Sequence, residues 1–277
     1  MTDYKVPDSG EKIYIEKNKM NSAFDMPTLH SHKCNELYFL LSGQRRYFIG
    51  HSIYDVSPGN IVIIPGHELH RTAALNSRAS ERYMVYFYDE YLTDIIQSVG
   101  IDAYEGFLRG ECFQLPPERT EKIRKNLEAM EQEFSGKDTY SYAMLRNIFQ
   151  NIVLSVLRYG KRKQCETGEG TDKIQEVARY ISENYASDIT LKSAAKMAFM
   201  EETYFSKRFK HITGFGFNEY LIKTRIKAAE ELLSFSELSI GEISERYGFS
   251  SSNYFGDVFK RWKGVSPSEY RKNGYGI

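Results

Sequence analysis

One block of sequence occurs twice near the C-terminal end. "YFSKRFKHITGFGFNEYL", starting at Tyr204, returns as "YFGDVFKRWKGVSPSEYR", starting at Tyr254, so that Tyr, Phe, Phe-Lys, Gly, Glu and Tyr recur at an interval of 50 residues. Ahead of each copy runs a helical stretch with small or apolar residues, "LKSAAKMAF" and "IGEISERYGF". Each unit therefore reads as helix, tight turn, helix and a further helix. Phe205, Phe209, Phe249, Phe255 and Phe259 are the expected core of these units.

Capping chemistry sets the boundaries. Ser239 with Glu242, and Ser266 with Glu269, have the spacing of capping boxes, and Pro267 stands at a first helical position. Gly248 supplies a helix stop, and Ser250 or Ser251 can cap the next helix. The first copy is less regular, with Glu201 near its cap position and Gly216 where the second has Ser266. Two helices joined by a tight turn form a helix-turn-helix, whose second helix can enter the major groove of DNA. The helix between the units, residues 217 to 235, spans about 28 Å at 1.5 Å per residue, enough to set two such helices roughly one duplex turn apart. Lys207, Arg208, Lys210, Lys223, Arg225 and Lys227, then Lys260, Arg261, Lys263, Arg271 and Lys272, are candidates for phosphate contacts.

Residues 173 to 273 resemble the DNA-binding domain of the AraC/XylS family of transcription regulators, most closely in "YGFSSSNYFGDVFKRWKGVSPSEYR". The resemblance implies base-reading positions at Thr203, Ser206 and Lys207 in the first unit and at Ser252, Asn253, Gly256 and Asp257 in the second, with Tyr204 and Tyr254 beside them. Lys210, Lys260 and Arg261 complete the expected DNA-binding set. Lys207 can donate to guanine and Asn253 can pair with adenine in bidentate fashion. Asp257 departs from the family pattern, which often has a basic residue there. An aspartate can accept from a cytosine amino group and is repelled by phosphate.

At 277 residues, with 41% hydrophobic and 27% charged residues, the chain has the length for two domains and the balance of a folded protein. No apolar run reaches the roughly 18 residues a membrane helix needs. The N-terminus has no apolar core resembling a signal peptide, and a cytoplasmic location without membrane contact is expected. Cys34, Cys112 and Cys165 are odd in number and widely spaced, which argues for free thiols. The formal net charge is zero, but from Lys173 onward 16 Lys plus Arg face 13 Asp plus Glu, so the charge case rests on where the basic residues sit.

Up to about Arg82 the texture is that of short strands separated by turn signals such as "LSG", "FIGHS" and "SPGN", which suggests a barrel or sandwich. After "LPPE", Ile123, Leu127, Met130 and Phe134 recur at helical spacing over residues 118 to 134. "YAMLRNIFQNIVLSVLRYG" is a second helix, apolar on more than one face, for which a partner subunit is the natural cover. "KRKQCETGEGTD" reads as linker. The expected fold is α+β in two domains: a barrel over 1–114, a helical and dimerising region over 115–162, a linker over 163–172, and an all-α domain with two helix-turn-helix units over 173–277.

"HSHKCNELYFLLSG" opens a second resemblance, to the cupin-type sensor domain that members of this family often carry. His30-x-His32-x3-Glu36-x6-Gly43 follows the later part of the first cupin motif, and Gly59-x5-Pro65-x4-His70 much of the second. His67 and Ala74 stand where that second motif has glycine and asparagine. His30, His32, Glu36 and His70 can together hold a divalent ion, Zn, Fe, Mn or Ni. His30 and His32 are expected on one side of a strand, with His70 on a facing one. Three readings stand open: a catalytic metal, a metal that grips an effector, and a metal-free polar wall. The third is preferred, since spacing shows compatible geometry and not occupancy. An organic effector, a sugar or related polar metabolite being the common family choice, would meet His30, His32, Glu36, Tyr38, Arg45 or Arg46, Tyr47 and His70. The expected protein is a regulator and not an enzyme. Its expected partners are double-stranded DNA, a small-molecule effector, a second copy of itself and, as a further candidate, RNA polymerase.

Overall fold

The computed structural model describes residues 13–20, 32–75, 79–109, 112–136, 138–165 and 171–273. The chain divides into two compact units, Met1–Glu166 and Thr167–Ile277.

The first unit is built on two antiparallel sheets. Strands β1 (Ile13–Met20), β2 (Asn35–Ser42), β3 (Arg45–Ile49), β4 (Ser52–Val56), β5 (Ile61–Ile64), β6 (His70–Ala74) and β7 (Ser80–Phe87) follow in order. A 3₁₀ turn (Asp89–Leu92) and helices α1 (Thr93–Val99) and α2 (Ile101–Phe107) come next. Strand β8 (Cys112–Gln114), helices α3 (Pro117–Gly136) and α4 (Ser141–Tyr159) and the short strand β9 (Lys161–Arg162) complete it. The larger sheet has the order β1-β7-β2-β5-β8-β9 and the smaller β4-β3-β6.

Strand periodicity assigns the layers. On one face of the larger sheet Leu37, Phe39, Ile61, Ile63, Tyr83, Val85 and Phe87 pack with Ile123, Leu127 and Met130 of α3 and Phe149, Ile152 and Val153 of α4. Residues of the other parity, Tyr38, Leu40, Val62, Ile64, Met84 and Tyr86, pack with Tyr47, Ile49, Tyr54 and Val56 of the smaller sheet. Both faces of β2 and β5 are thus buried, which explains the unbroken apolar run "IVII". Each such side chain removed from water contributes about 1.5–3 kcal/mol. The helical region 117–159 is a structural layer of this unit. The excess apolar character of α4 is divided: Leu145, Phe149, Ile152, Val153 and Val156 are buried, while Tyr142, Met144 and Leu154 are exposed, as is Tyr140 just ahead of them.

The start of the stretch read as linker is tied to the sheets: β9 pairs with β8, Lys163 N donates to Cys112 O at 2.8 Å, and Lys163 Nζ donates to Asp55 O. Residues 166–170 of that stretch lie outside the described residues. None of the three cysteines, all among the described residues, forms a disulfide. Among the described residues no helix is long and apolar enough to cross a membrane.

The second unit is helical: α5 (Thr171–Asn184), α6 (Leu191–Met197), α7 (Glu202–Thr213), α8 (Phe217–Phe235), α9 (Ile240–Arg246), α10 (Ser252–Lys263) and α11 (Pro267–Lys272). Capping boxes close at Ser239–Glu242 and Ser266–Glu269, and a third, unanticipated, at Thr190–Ser193. Glu201 and Ser251, rather than Ser250, accept from Tyr204 N and Tyr254 N at 3.0 and 3.2 Å. Gly216 caps α8 without a side chain. The phenylalanines of the repeat are core: Phe205, Phe209, Phe255 and Phe259 are fully buried, and Phe249 nearly so.

Candidate functional sites

Helices α7 and α10 are the second helices of the two units. Phe205, Phe209 and Ile212 face inward on α7, which leaves Thr203, Tyr204, Lys207 and Lys210 exposed and Ser206 half-buried. On α10, Phe255, Val258 and Phe259 face inward, while Ser252, Asn253, Tyr254, Asp257, Lys260 and Arg261 are exposed and Gly256 is half-buried. Tyr204 and Tyr254, 57% and 43% exposed, stand in the same register of the two copies. Each helix thus presents one polar face carrying every residue expected to read DNA.

Four of the expected phosphate contacts also have structural work within the unit. Lys223 is buried, its Nζ 3.9 Å from the centre of the Trp262 ring and 3.9 Å from Glu219 Oε1. Burial pushes this amine down to about 8, against the pull of Glu219. Arg225 donates to Tyr185 O at 2.7 Å and Ser187 O at 2.8 Å, and lies 5.9 Å from the centre of the Phe249 ring. Lys263 pairs with Glu230 at 2.6 Å, and Arg271 donates to Leu233 O and Leu238 O at 3.3 and 2.6 Å. Sequence counts these residues as surface charge because helical spacing alone does not show which neighbours cover them. Together they fasten α8, α10, α11 and the loop after α5.

A second cluster lies between the sheets of the first unit. Glu36 Oε2 is 3.1 Å from His32 Nε2 and 3.7 Å from His70 Nε2, all three residues being buried. Each Nδ1 meets a backbone carbonyl, His32 that of Cys34 at 2.6 Å and His70 that of Glu68 at 2.9 Å. Burial would lower the His32 imidazole, but its bonds to Cys34 and Glu36 outweigh that and hold it up at about 10 while no ion is bound. One donor atom from each of the three residues lies within 4.8 Å of the others. With both Nδ1 atoms on carbonyls and both Nε2 atoms turned to Glu36, the set suits a divalent ion. The same geometry serves an ion pair.

His70 does come from the facing sheet, but His32 is not on a strand. It precedes β2, because the turn after β5 packs against it: His67 N donates to His32 O at 2.7 Å and Gly66 N to Asn35 Oδ1 at 2.8 Å. His67, where the motif has glycine, adopts φ 62°, in the left-handed region. His30 lies outside the described residues.

The remaining expected pocket residues share this space. Tyr38 and Tyr47 lie ring to ring at 4.8 Å, and Arg45 is buried with its Nε donating to Thr72 Oγ1 at 3.2 Å. Parity decides between the two arginines, since Arg46 points outward and pairs with Asp55 at 2.6 and 2.7 Å. Sequence reasoning missed Arg82 and Tyr86. Their signal was the alternation of β7, in which Arg82, Met84 and Tyr86 share a face, but the pairing with β2 needed to aim that face inward is long-range.

The comparisons with known proteins bear on both units. Residues 12–153 match the AraC-like ligand binding domain, and residues 194–273 match a helix-turn-helix domain. The HTH-type transcriptional activator RhaR of Salmonella dublin is 24% identical over 245 residues, covering 87% of this chain and 86% of RhaR. Among solved structures, the C-terminal domain of AraT, a response regulator from Geobacillus stearothermophilus, is 36% identical over 36% of this chain and 84% of its own, with a TM-score of 0.35. The DNA-binding domain of AdpA, solved with a target DNA, is 30% identical over 38% of this chain and 94% of its own, with a TM-score of 0.36. With its ligand-binding domain matched over half its length and its helix-turn-helix domain behind it, the chain belongs to the AraC family of transcription regulators.

Proposed function

We propose that this regulator reads two adjacent DNA subsites with α7 and α10 and that a small molecule held between its two sheets changes that reading. The observation that carries the proposal is the pairing of two exposed polar helix faces with a buried polar cluster in a ligand-binding domain. Thr203, Tyr204, Ser206, Lys207 and Lys210 serve the first subsite; Ser252, Asn253, Tyr254, Gly256, Asp257, Lys260 and Arg261 serve the second. Lysine and asparagine supply base contacts, and the outer basic residues supply phosphate contacts. The effector biases an equilibrium between two arrangements of the protein, so it acts only through its different affinity for them. No turnover is involved. The exposed Tyr140, just ahead of α4, and Met144 and Leu154 on it form the surface through which two copies associate, and the protein works in the cytoplasm, beside DNA and RNA polymerase.

The test is direct. A duplex selected from a random library is titrated with the full chain, with and without the deproteinised small-molecule fraction of a cell lysate. A change of at least about fivefold in Kd, which is about 1 kcal/mol of coupling, supports the proposal; an unchanged Kd refutes effector control.

A second reading concerns the histidine cluster. His32, Glu36 and His70 would hold a divalent ion, which would supply a fixed positive charge and an open position for an effector group. Metal analysis of untagged protein decides it: less than about a tenth of an equivalent after exposure to Zn, Mn, Fe and Ni removes this reading.

A further inference from the structure

We propose that Lys223 and Trp262 are positioning residues that set the angle between the two recognition helices, and with it the spacing of DNA subsites that the protein accepts. The inference rests on the reading of α7 and α10 as readers of two adjacent subsites.

Helix α8 serves both helix-turn-helix units, one with each half. Near its start Phe217 packs on Phe205 and Phe209 of α7, and Tyr220 on Phe209, with ring centres 5.6 to 6.0 Å apart. Further along, Ile226, Ala229 and Leu233 pack with Phe255 and Phe259 of α10. Lys223 stands between the two sets, about one turn from Tyr220 and from Ile226, and is buried there. Its amine lies 5.7 Å from the centre of the Phe215 ring, in the turn after α7, and 3.9 Å from that of Trp262, in the last turn of α10. One cation thus meets an aromatic ring from each side.

Both distances fall within the roughly 6 Å at which a cation is drawn to an aromatic face, a pull that is strongest for tryptophan and where water is excluded. A side chain needed only to fill this space would be apolar, as Ile226 and Ala229 are. A buried amine costs desolvation, and what it adds is direction, since it is held only where rings and the Glu219 carboxylate, 3.9 Å away, converge on it. The next residue along α10 makes a second strap: Lys263 pairs with Glu230 of α8 at 2.6 Å. Lys223 and Glu230 are about 10 Å apart along α8 at 1.5 Å per residue. Two anchors at that separation fix the direction in which α10 crosses α8, whereas one would leave a pivot.

The experiment titrates the full chain against its selected duplex, and against versions with one base pair inserted or removed between the two subsites, by fluorescence anisotropy of labelled DNA. One base pair moves a subsite about 3.4 Å along and about 35° around the duplex, so the wild type is expected to bind the altered duplexes at least about tenfold more weakly. Lys223→Met keeps the stem and removes the charge, and the preference should shrink to below about threefold; Lys223→Arg keeps a cation over the ring and should restore it. Should Lys223→Met fail to fold, Trp262→Leu breaks the same contact from a side chain that is 38% exposed, with the same loss expected. Trp262 is the one tryptophan of the chain, and its emission should change in Lys223→Met; an unchanged spectrum overturns the contact. A lysine with a merely structural role would lower the thermal midpoint and leave the spacing preference at its wild-type value, and that result overturns the inference. So does equal weakening on all duplexes with a salt slope reduced by about one, the mark of a phosphate contact. A wild type indifferent to spacing overturns the two-subsite reading itself, and this inference with it.

Discussion

The two helix-turn-helix units perform one plan with different chemistry. In the second, the chain leaves α9 through Gly248 at φ 72°, and Ser251 caps α10. In the first, the left-handed position falls on Phe199, at φ 56° and 85% exposed, and Glu201 caps α7. The first turn is residues 198–201 and the second 247–251, so the second is one residue longer and the repeat slips by one across it. The downstream caps differ too, a closed box at Ser266 against a bare Gly216. A non-glycine residue in the left-handed region costs about 1–2 kcal/mol. The first unit carries that cost and the second does not, so the register that matters, burial of the paired phenylalanines, tolerates different local solutions.

Glycine substitutions should separate the units most widely. Gly248→Ala would force a Cβ to within 2.6 Å of Ala186 O at a positive φ, and a loss of about 3 kcal/mol is expected in thermal or urea unfolding. Gly216→Ala meets nothing nearer than 4.0 Å and should change stability by less than about 0.5 kcal/mol. Equal effects would mean that the second turn is not held against the loop after α5.

Base reading comes next in size. Lys207→Ala should cost about 1–3 kcal/mol at the first subsite, and Asp257→Ala should weaken discrimination at the second by a similar amount. Tighter binding by Asp257→Ala with unchanged selectivity would show that the aspartate only repels phosphate.

Caps give smaller effects. Ser266→Ala opens the box with Glu269 and should cost about 1 kcal/mol, while Gly216→Ser, which builds the missing cap, should gain a few tenths. Phe199→Gly relieves the left-handed backbone but adds freedom to the unfolded chain, and a net gain of about 0.5 kcal/mol is expected in thermal unfolding.

Legibility followed the range of the interactions. The helices of the second unit, their core phenylalanines and all the caps of the repeat except the Thr190–Ser193 box were readable because caps and helical faces are local. Helix α8 has the predicted bounds, Phe217–Phe235. What escaped is long-range. Lys223, Arg225, Lys263 and Arg271 look like surface charge until Trp262, Tyr185, Glu230 and Leu238 are brought to them. In the first unit, spacing brought Glu36 and His70 together correctly but put His32 on a strand, because the packing of the 65–68 turn is not written locally. The helices at 93–107 and strands β8 and β9 carried too little periodicity to be read, and Arg82 needed the partner strand.

The proposed mode of binding has both recognition helices engage one face of a single DNA site. Hydroxyl-radical footprinting of the full chain on its selected duplex tests it most directly. Two protected patches about 10 base pairs apart are expected, with Lys207→Ala removing one and Asn253→Ala the other. A single patch, insensitive to substitutions on α10, would contradict it.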